Sequence, residues 1–132
     1  MATAPIKVGR RKEATARVRL LPSPDGTTAI VVNGKNYRDY FPHHIYYSLL
    51  DHALQTAEAD GRYHIHVTVS GGGVKGQVEA VRLGIARALV ADHPEIKPRL
   101  RAANLLTRDP RAVERKKSGR KKARKRFQFS KR

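Results

Sequence analysis

Alternating strand-like and helix-like periods predict an α/β fold in which helices pack on a sheet. Three observations carry that expectation. Apolar and polar residues alternate over 14–21 and again over 63–70; apolar residues recur at helical spacing over 45–57 and 77–91; and turn-forming clusters separate these stretches. At 132 residues the chain suits one domain with one modest core.

Taken in order, Ala16, Val18 and Leu20 share one face of the first predicted strand, and Arg17 and Arg19 share the other. Pro22 to Gly26 is a turn cluster, and Thr28–Val32 reads as a second strand that stops at the tight-turn pair Asn33-Gly34. Beyond Tyr37, Tyr40, Phe41 and Pro42 the period changes. Ile45, Leu49, Ala53 and Ala57, widened by Leu50 and Leu54, form the stripe of an amphipathic helix that Gly61 is placed to end. A third strand follows at Tyr63–Ser70, with Ile65, Val67 and Val69 on one side and His64, His66 and Thr68 on the other. The strongest helix spans about Gln77–Ala91. Its buried stripe is Val78, Val81, Ile85 and Leu89, and small Ala80, Gly84 and Ala88 allow close approach to a sheet. Asp92, Pro94 and Glu95 suggest a capped short helix that ends near Asn104.

Charge is distributed unevenly along this frame. The chain holds 28 Lys plus Arg against 11 Asp plus Glu, a formal net charge of +17. Residues 1–40 contribute 8 basic and 3 acidic side chains, residues 41–104 contribute 7 and 6, and residues 105–132 contribute 13 and 2. A nearly neutral middle thus separates a cationic strand from a strongly cationic end. These features divide the chain into a globular body, 1–106, and a basic tail, 107–132. The tail has too few apolar residues to offset its ordering entropy with a core of its own. Its last 18 residues, fully extended, would reach roughly 60 Å.

A surplus this large predicts a polyanionic partner. Membranes fit poorly, because the tail has no apolar helical face to insert and no segment is apolar for long enough to span a bilayer. Arg10-Arg11 resembles a twin-arginine export signal, but no apolar stretch follows it. The chain has no Cys, so disulfide and thiolate-metal chemistry are excluded. His64 and His66 share a strand face and His43 and His44 are adjacent, yet no carboxylate stands at a matching offset to complete a metal site. His64 and His66 read instead as part of a polar or nucleic-acid-facing sheet surface. No nucleophile-elbow sequence is present.

Gly71-Gly72-Gly73-Val74-Lys75-Gly76 matches G-x-G-x-x-G between a strand and a helix, but Asp92 opens a Pro-containing segment instead of ending a strand. The P-loop reading fails at Gln77 and Val78. What survives is a helix start at which Gly72, Gly73 and Lys75 could hold an RNA phosphate. The other candidate contacts are Arg10, Arg11, Lys12, Arg17 and Arg19 near the N-terminus. In the tail they are Arg108, Arg111, Arg115, Lys116, Lys117, Arg120, Lys121, Lys122, Arg124, Lys125 and Arg126, then Phe127, Gln128 and Phe129, which add stacking and hydrogen bonding.

Several blocks in this order resemble a known family: Val8-Gly9-Arg10-Arg11-Lys12-Glu13-Ala14-Thr15-Ala16-Arg17, Asn33-Gly34-Lys35, the glycine block through Gln77 and on to Leu89, Leu105-Leu106-Thr107-Arg108-Asp109-Pro110-Arg111, Glu114-Arg115-Lys116-Lys117, and Gln128-Phe129-Ser130-Lys131-Arg132. The chain is similar to the ninth protein family of the small ribosomal subunit, in its bacterial form. Ser118 before Gly119 is a local departure, where many members carry a larger residue.

The resemblance implies a two-layer α/β (α+β) body with helices on a small mixed sheet, a left-handed βαβ crossover, and a long extended basic tail. It implies ribosomal RNA of the subunit head and neighbouring head proteins as partners, in the cytoplasmic ribosome. It further implies that Ser130, Lys131 and Arg132 contact the phosphates of peptidyl-site tRNA near the anticodon. No catalytic residue, cofactor, metal or small-molecule substrate is expected. Two other readings compete: a nucleic-acid compaction or regulatory protein acting outside the ribosome, and a small nucleotide-dependent enzyme.

Overall fold

The computed structural model describes residues 5–41, 43–59, 61–112 and 114–125. The alternation of Ala14, Ala16 and Val18 with Thr15, Arg17 and Arg19 becomes strand β2 (Ala14–Pro22), whose Ala14, Ala16 and Val18 are fully buried. Strand β1 (Ile6–Arg11) precedes it and pairs antiparallel, Arg11 opposite Ala14, across the two-residue turn Lys12-Glu13. The sequence pattern did not mark β1, because Gly9 and the cations around it hide its alternation. The glycine is there for contact: a Cβ on Gly9 would lie 1.9 Å from the Ala80 carbonyl oxygen.

Strand β3 (Ala29–Val32) turns through Asn33 and Gly34, at φ 50° and 82°, into the short β4 (Lys35–Asn36), as the dipeptide predicts. The Asn33 side chain also pairs with the backbone of Val69, accepting from its N–H at 2.9 Å and donating to its carbonyl at 3.0 Å. Helix α1 (Tyr37–Tyr40), absent from the sequence-based expectation, starts where the Asn36 side chain accepts from the Arg38 N–H.

Helix α2 (His44–Thr56) buries Leu50, Ala53 and Leu54, and Ala57 just beyond it is also buried. Ile45, expected on the same stripe, is 70% exposed: the buried face of α2 runs through Leu50, Ala53 and Leu54, with Tyr46 of the first turn packed against the core, and Ile45 stands well round the helix from that face. Nor does Gly61 end α2. Glu58 takes the left-handed conformation (φ 54°), with Ala59 N–H donating to the Leu54 carbonyl and Glu58 N–H to that of Gln55. That closes the helix one turn before Gly61, which serves the bend into β5 (Tyr63–Ser70).

Helix α3 (Val74–Asp92) begins three residues before the expected start at Gln77, with Gly73 at its N-cap. Val78, Val81, Ile85 and Leu89 are fully buried, as expected. Asp92 does not cap the next segment; it accepts a hydrogen bond from the Tyr63 hydroxyl, and His93 takes the cap position of the 3-10 turn Pro94–Ile96. Helix α4 (Lys97–Ala102) ends at left-handed Asn104, where Leu105 N–H donates to the Leu100 carbonyl at 3.0 Å and both leucines are buried.

The strands align as β1-β2-β5-β3-β4, antiparallel except for the parallel neighbours β3 and β5, between which the chain passes through α2. The sheet is therefore mixed, as expected. Its register puts Ala16, Val18, Ile30, Val32, Ile65, Val67 and Val69 on one face, where they form a single core with the leucines of α2 and the stripe of α3. Arg17, His66, Thr68 and Ser70 point to the opposite face and are exposed. Among the described residues the fold has two layers, and no helix covers the second face of the sheet.

Candidate nucleic-acid interface

The glycine loop between β5 and α3 is shaped by what it crosses. Gly71 and Gly72 have φ of 77° and 64°, and a Cβ on Gly71 would lie 2.5 Å from the Glu13 carbonyl oxygen. The loop thus rides over the β1–β2 turn, while Gly73 has open space where a Cβ would be. Gln77, which spoils the P-loop pattern, stitches the loop in place. Its Nε2 donates to the Gly71 carbonyl at 3.0 Å, and its Oε1 accepts from the Tyr40 hydroxyl at 2.9 Å.

This crossing brings separate cations together. Lys12 from the β1–β2 turn, Lys75 from the first turn of α3, and Arg111 from the tail line one cleft of about 350 Å³ with Arg11 and Ala112. Sequence reasoning nominated all four of these cations singly; their convergence is a tertiary fact.

Arg11 differs from the expectation of an outward RNA contact. It is 6% exposed, the one buried charged residue among those described, and it points into the protein. Its Nε pairs with Glu79 of α3, and its Nη1 lies 3.1 Å from the Asp109 carboxylate and donates to the Arg111 carbonyl at 3.0 Å. The alternation of β1 explains the inversion, since Lys7, Gly9 and Arg11 share the helix-facing side of the strand while Arg10 faces outward and is exposed. Glu79 and Asp109, which complete this anchor, carry no local sequence signal.

Asp109 also takes a forked pair of bonds from Arg111, at 2.9 Å from Nε and 2.6 Å from Nη2. The Arg111 side chain, its backbone N–H and the nearby Arg11 hold the Asp109 carboxyl well below the usual carboxylate range. The tail's other acid, Glu114, is lowered by hydrogen bonds from Lys117 and then Arg124, the latter at 2.9 Å. Both acidic groups of the tail are thus engaged by cations of the tail or its anchor.

Arg108, Arg115, Lys116, Lys121, Lys122 and Lys125 are exposed, and Arg120 is half-buried. Turns occur here: Gly119 is left-handed at φ 76°, and Lys121 N–H donates to the Lys125 carbonyl at 2.8 Å. Arg126, Phe127, Gln128, Phe129, Ser130, Lys131 and Arg132 lie outside the described residues. On the body, Arg17 is exposed and Arg19 half-buried, both on the open sheet face. No group of three or more metal-binding side chains occurs among the described residues. No helix there is long and apolar enough to cross a membrane.

Comparison with known proteins bears directly on this cationic, two-layer architecture. The model of the family described as "Ribosomal protein S9/S16" matches residues 9–132. The chain is 53% identical over 125 residues to the small ribosomal subunit protein uS9 of Nocardia farcinica, covering 95% of this chain and 73% of that one. It is 51% identical over 125 residues to uS9 of Porphyromonas gingivalis, with 95% of each covered, and 50% identical over 129 residues to that of Anaeromyxobacter sp. strain K, with 98% and 97% covered. A match along nearly the whole chain, joined to the mixed sheet and the basic tail, places it in the S9 family of small-subunit ribosomal proteins.

Proposed function

We propose that the chain is built into the head of the small subunit in the cytoplasmic ribosome, beside neighbouring head proteins, and that it binds ribosomal RNA there. The observation that carries this reading is the tail's charge: 13 basic against 2 acidic residues over 105–132, with both acids already paired. Arg10, Lys12, Arg17, Arg19, Lys75, Arg108 and Arg111 would meet RNA phosphates from the body and tail root, with Gly72 and Gly73 allowing backbone approach. Arg115, Lys116, Lys117, Arg120, Lys121, Lys122, Arg124, Lys125 and Arg126 would neutralise phosphates along the tail, with Phe127, Gln128 and Phe129 at unpaired bases. In this reading Arg11 anchors the tail root.

Ser130, Lys131 and Arg132 would contact the phosphates of peptidyl-site tRNA near its anticodon. Backbone contacts suit this task, because every tRNA offers the same phosphates whatever its sequence. The test is removal of Lys131 and Arg132. Subunit assembly should persist while tRNA binding in the peptidyl site weakens; unchanged tRNA affinity at low salt would reject the assignment. A preference of the purified protein for duplex DNA over subunit-head RNA would favour compaction or regulation outside the ribosome.

A further inference from the structure

We propose that the uncovered face of the sheet is itself an RNA-backbone site: a groove across β1, β2 and β5 in which Arg17 and Arg19 act together with His66 and Thr68. This rests on the RNA-binding reading above and deepens it. It gives the body a contact surface separate from the tail, brings in Thr68 of β5, and gives His66 a definite ligand in the RNA backbone.

Strand register assembles the groove. Arg17 stands opposite Thr68 and Arg19 opposite His66 across β2 and β5, while Ile6 stands opposite Arg19 across β1 and β2. These five side chains line a shallow depression of about 370 Å³. The face is one-signed. The strand residues that point to it from β1, β2, β3 and β5 include no Asp or Glu, and the nearby acid Asp25, in the turn after β2, is held 3.2 Å from His64. Arg11, Arg99, Arg111 and Arg124 each have a carboxylate within ion-pair distance; Arg17 and Arg19 have none among the described residues.

Two guanidinium groups two residues apart on one strand face repel each other, and an arriving anion relieves that repulsion. Arg19 is also short of acceptors, because its Nε is buried with no hydrogen-bond partner. A phosphodiester in the groove would offer oxygens to both guanidinium forks, and Thr68 and His66 add a hydroxyl and a ring nitrogen at the same level. Ile6, 48% exposed, forms an apolar lip against which a ribose can pack. RNA fits this face better than an acidic protein segment, since among the described residues the lip is the only large apolar side chain strongly exposed there, and a protein contact would need a broader apolar centre.

The test uses full-length chains carrying Arg17→Gln with Arg19→Gln, or Thr68→Glu, or Lys121→Ala with Lys122→Ala, each bound to small-subunit ribosomal RNA. Hydroxyl-radical footprints and salt titrations are compared with those of the unaltered protein. Both sheet-face variants should lose one discrete block of backbone protection and keep every protection that depends on Lys121 and Lys122. In the double arginine variant the slope of log K against log salt should also become less negative by about 1.5, as expected for two lost phosphate contacts. The thermal midpoint of Thr68→Glu should match the unaltered protein, because Thr68 is exposed, so that variant separates loss of the contact from any change in stability at half-buried Arg19. Unchanged footprint and slope in both variants would overturn the sheet-face site while leaving RNA binding by the tail standing. An unaltered chain with no protected block at all would instead remove the RNA-binding reading beneath it. Loss of an acidic protein from reconstituted particles, with the RNA footprint intact, would assign the face to protein and likewise overturn the proposal.

Discussion

Arg11 sits between two cations in the chain, yet its environment is unlike theirs. Arg10 and Lys12 are exposed, whereas Arg11 is tied to Glu79, Asp109 and the Arg111 carbonyl beneath the edge of the sheet. Replacing it with Gln would leave Glu79 and the tail-root carbonyls without their donor. We expect Arg11→Gln to destabilise the fold by about 2–4 kcal/mol in urea unfolding, discounted for the partial exposure of both carboxylates. Lysine should rescue only part of this loss, because an ammonium lacks the planar fork that serves three acceptors at once. Arg10→Gln, by contrast, should leave stability unchanged and act only on RNA affinity. A second residue-scale prediction concerns Tyr63, whose hydroxyl donates to Asp92 and joins the start of β5 to the end of α3. Burial, then the hydrogen bond and charge of Asp92, push its phenol up to about 12 from the ordinary 10.0. The folded state therefore holds this proton more tightly than the unfolded chain. The resulting stabilisation is complete below pH 10 and is lost as pH rises toward 12. Alkaline difference spectra of the unaltered protein against Tyr63→Phe should show one tyrosinate forming near pH 12.

Between elements, the tightest constraint is the crossing of β1 over α3. A Cβ on Gly9 would lie 2.4 Å from the Gly84 nitrogen as well as against the Ala80 carbonyl, and one on Gly84 would lie 2.6 Å from Val18 Cγ2. Backbone cannot step aside as a side chain can. Gly9→Ala should therefore cost more than the roughly 1–3 kcal/mol of ordinary overpacking, and more than Gly84→Ala, where the Val18 methyl can shift; urea unfolding of the two variants orders them. The same crossing explains what could be read beforehand. Strand β2, strand β5 and helix α3 announced themselves because each buries a regular stripe of its own residues. Strand β1 did not, because its centre is a glycine chosen for close approach, and its inward residue beyond it is an arginine satisfied by partners 68 and 98 positions away. Ile45 failed in the opposite way. It repeats every four residues with Leu49 and Ala53, but each such step drifts by about 40° around an α-helix, so the far end of the stripe leaves the buried face of Leu50, Ala53 and Leu54.

For the whole molecule, the decisive feature is the separation of core from charge. Nearly all the burial lies between the helices and one sheet face, so the open face, the cleft of Lys12, Lys75 and Arg111, and the tail are left to meet other molecules. If about 8 tail cations meet single-strand-like phosphate, log K should fall with log salt at a slope near −6; a slope near −1 would make the tail a spectator. By itself the sequence determined the main strands and helices, the cationic end and the family. These depend on local period, composition and ordered motifs, all of which are written along the chain. Tertiary structure alone decided that Arg11 turns inward, that Lys12, Lys75 and Arg111 share a cleft, and that Arg17 and Arg19 stand beside His66 and Thr68 on an uncovered face. Those facts rest on strand register and on contacts between distant segments, and one step of register or one change of neighbour would reverse them without altering any local pattern.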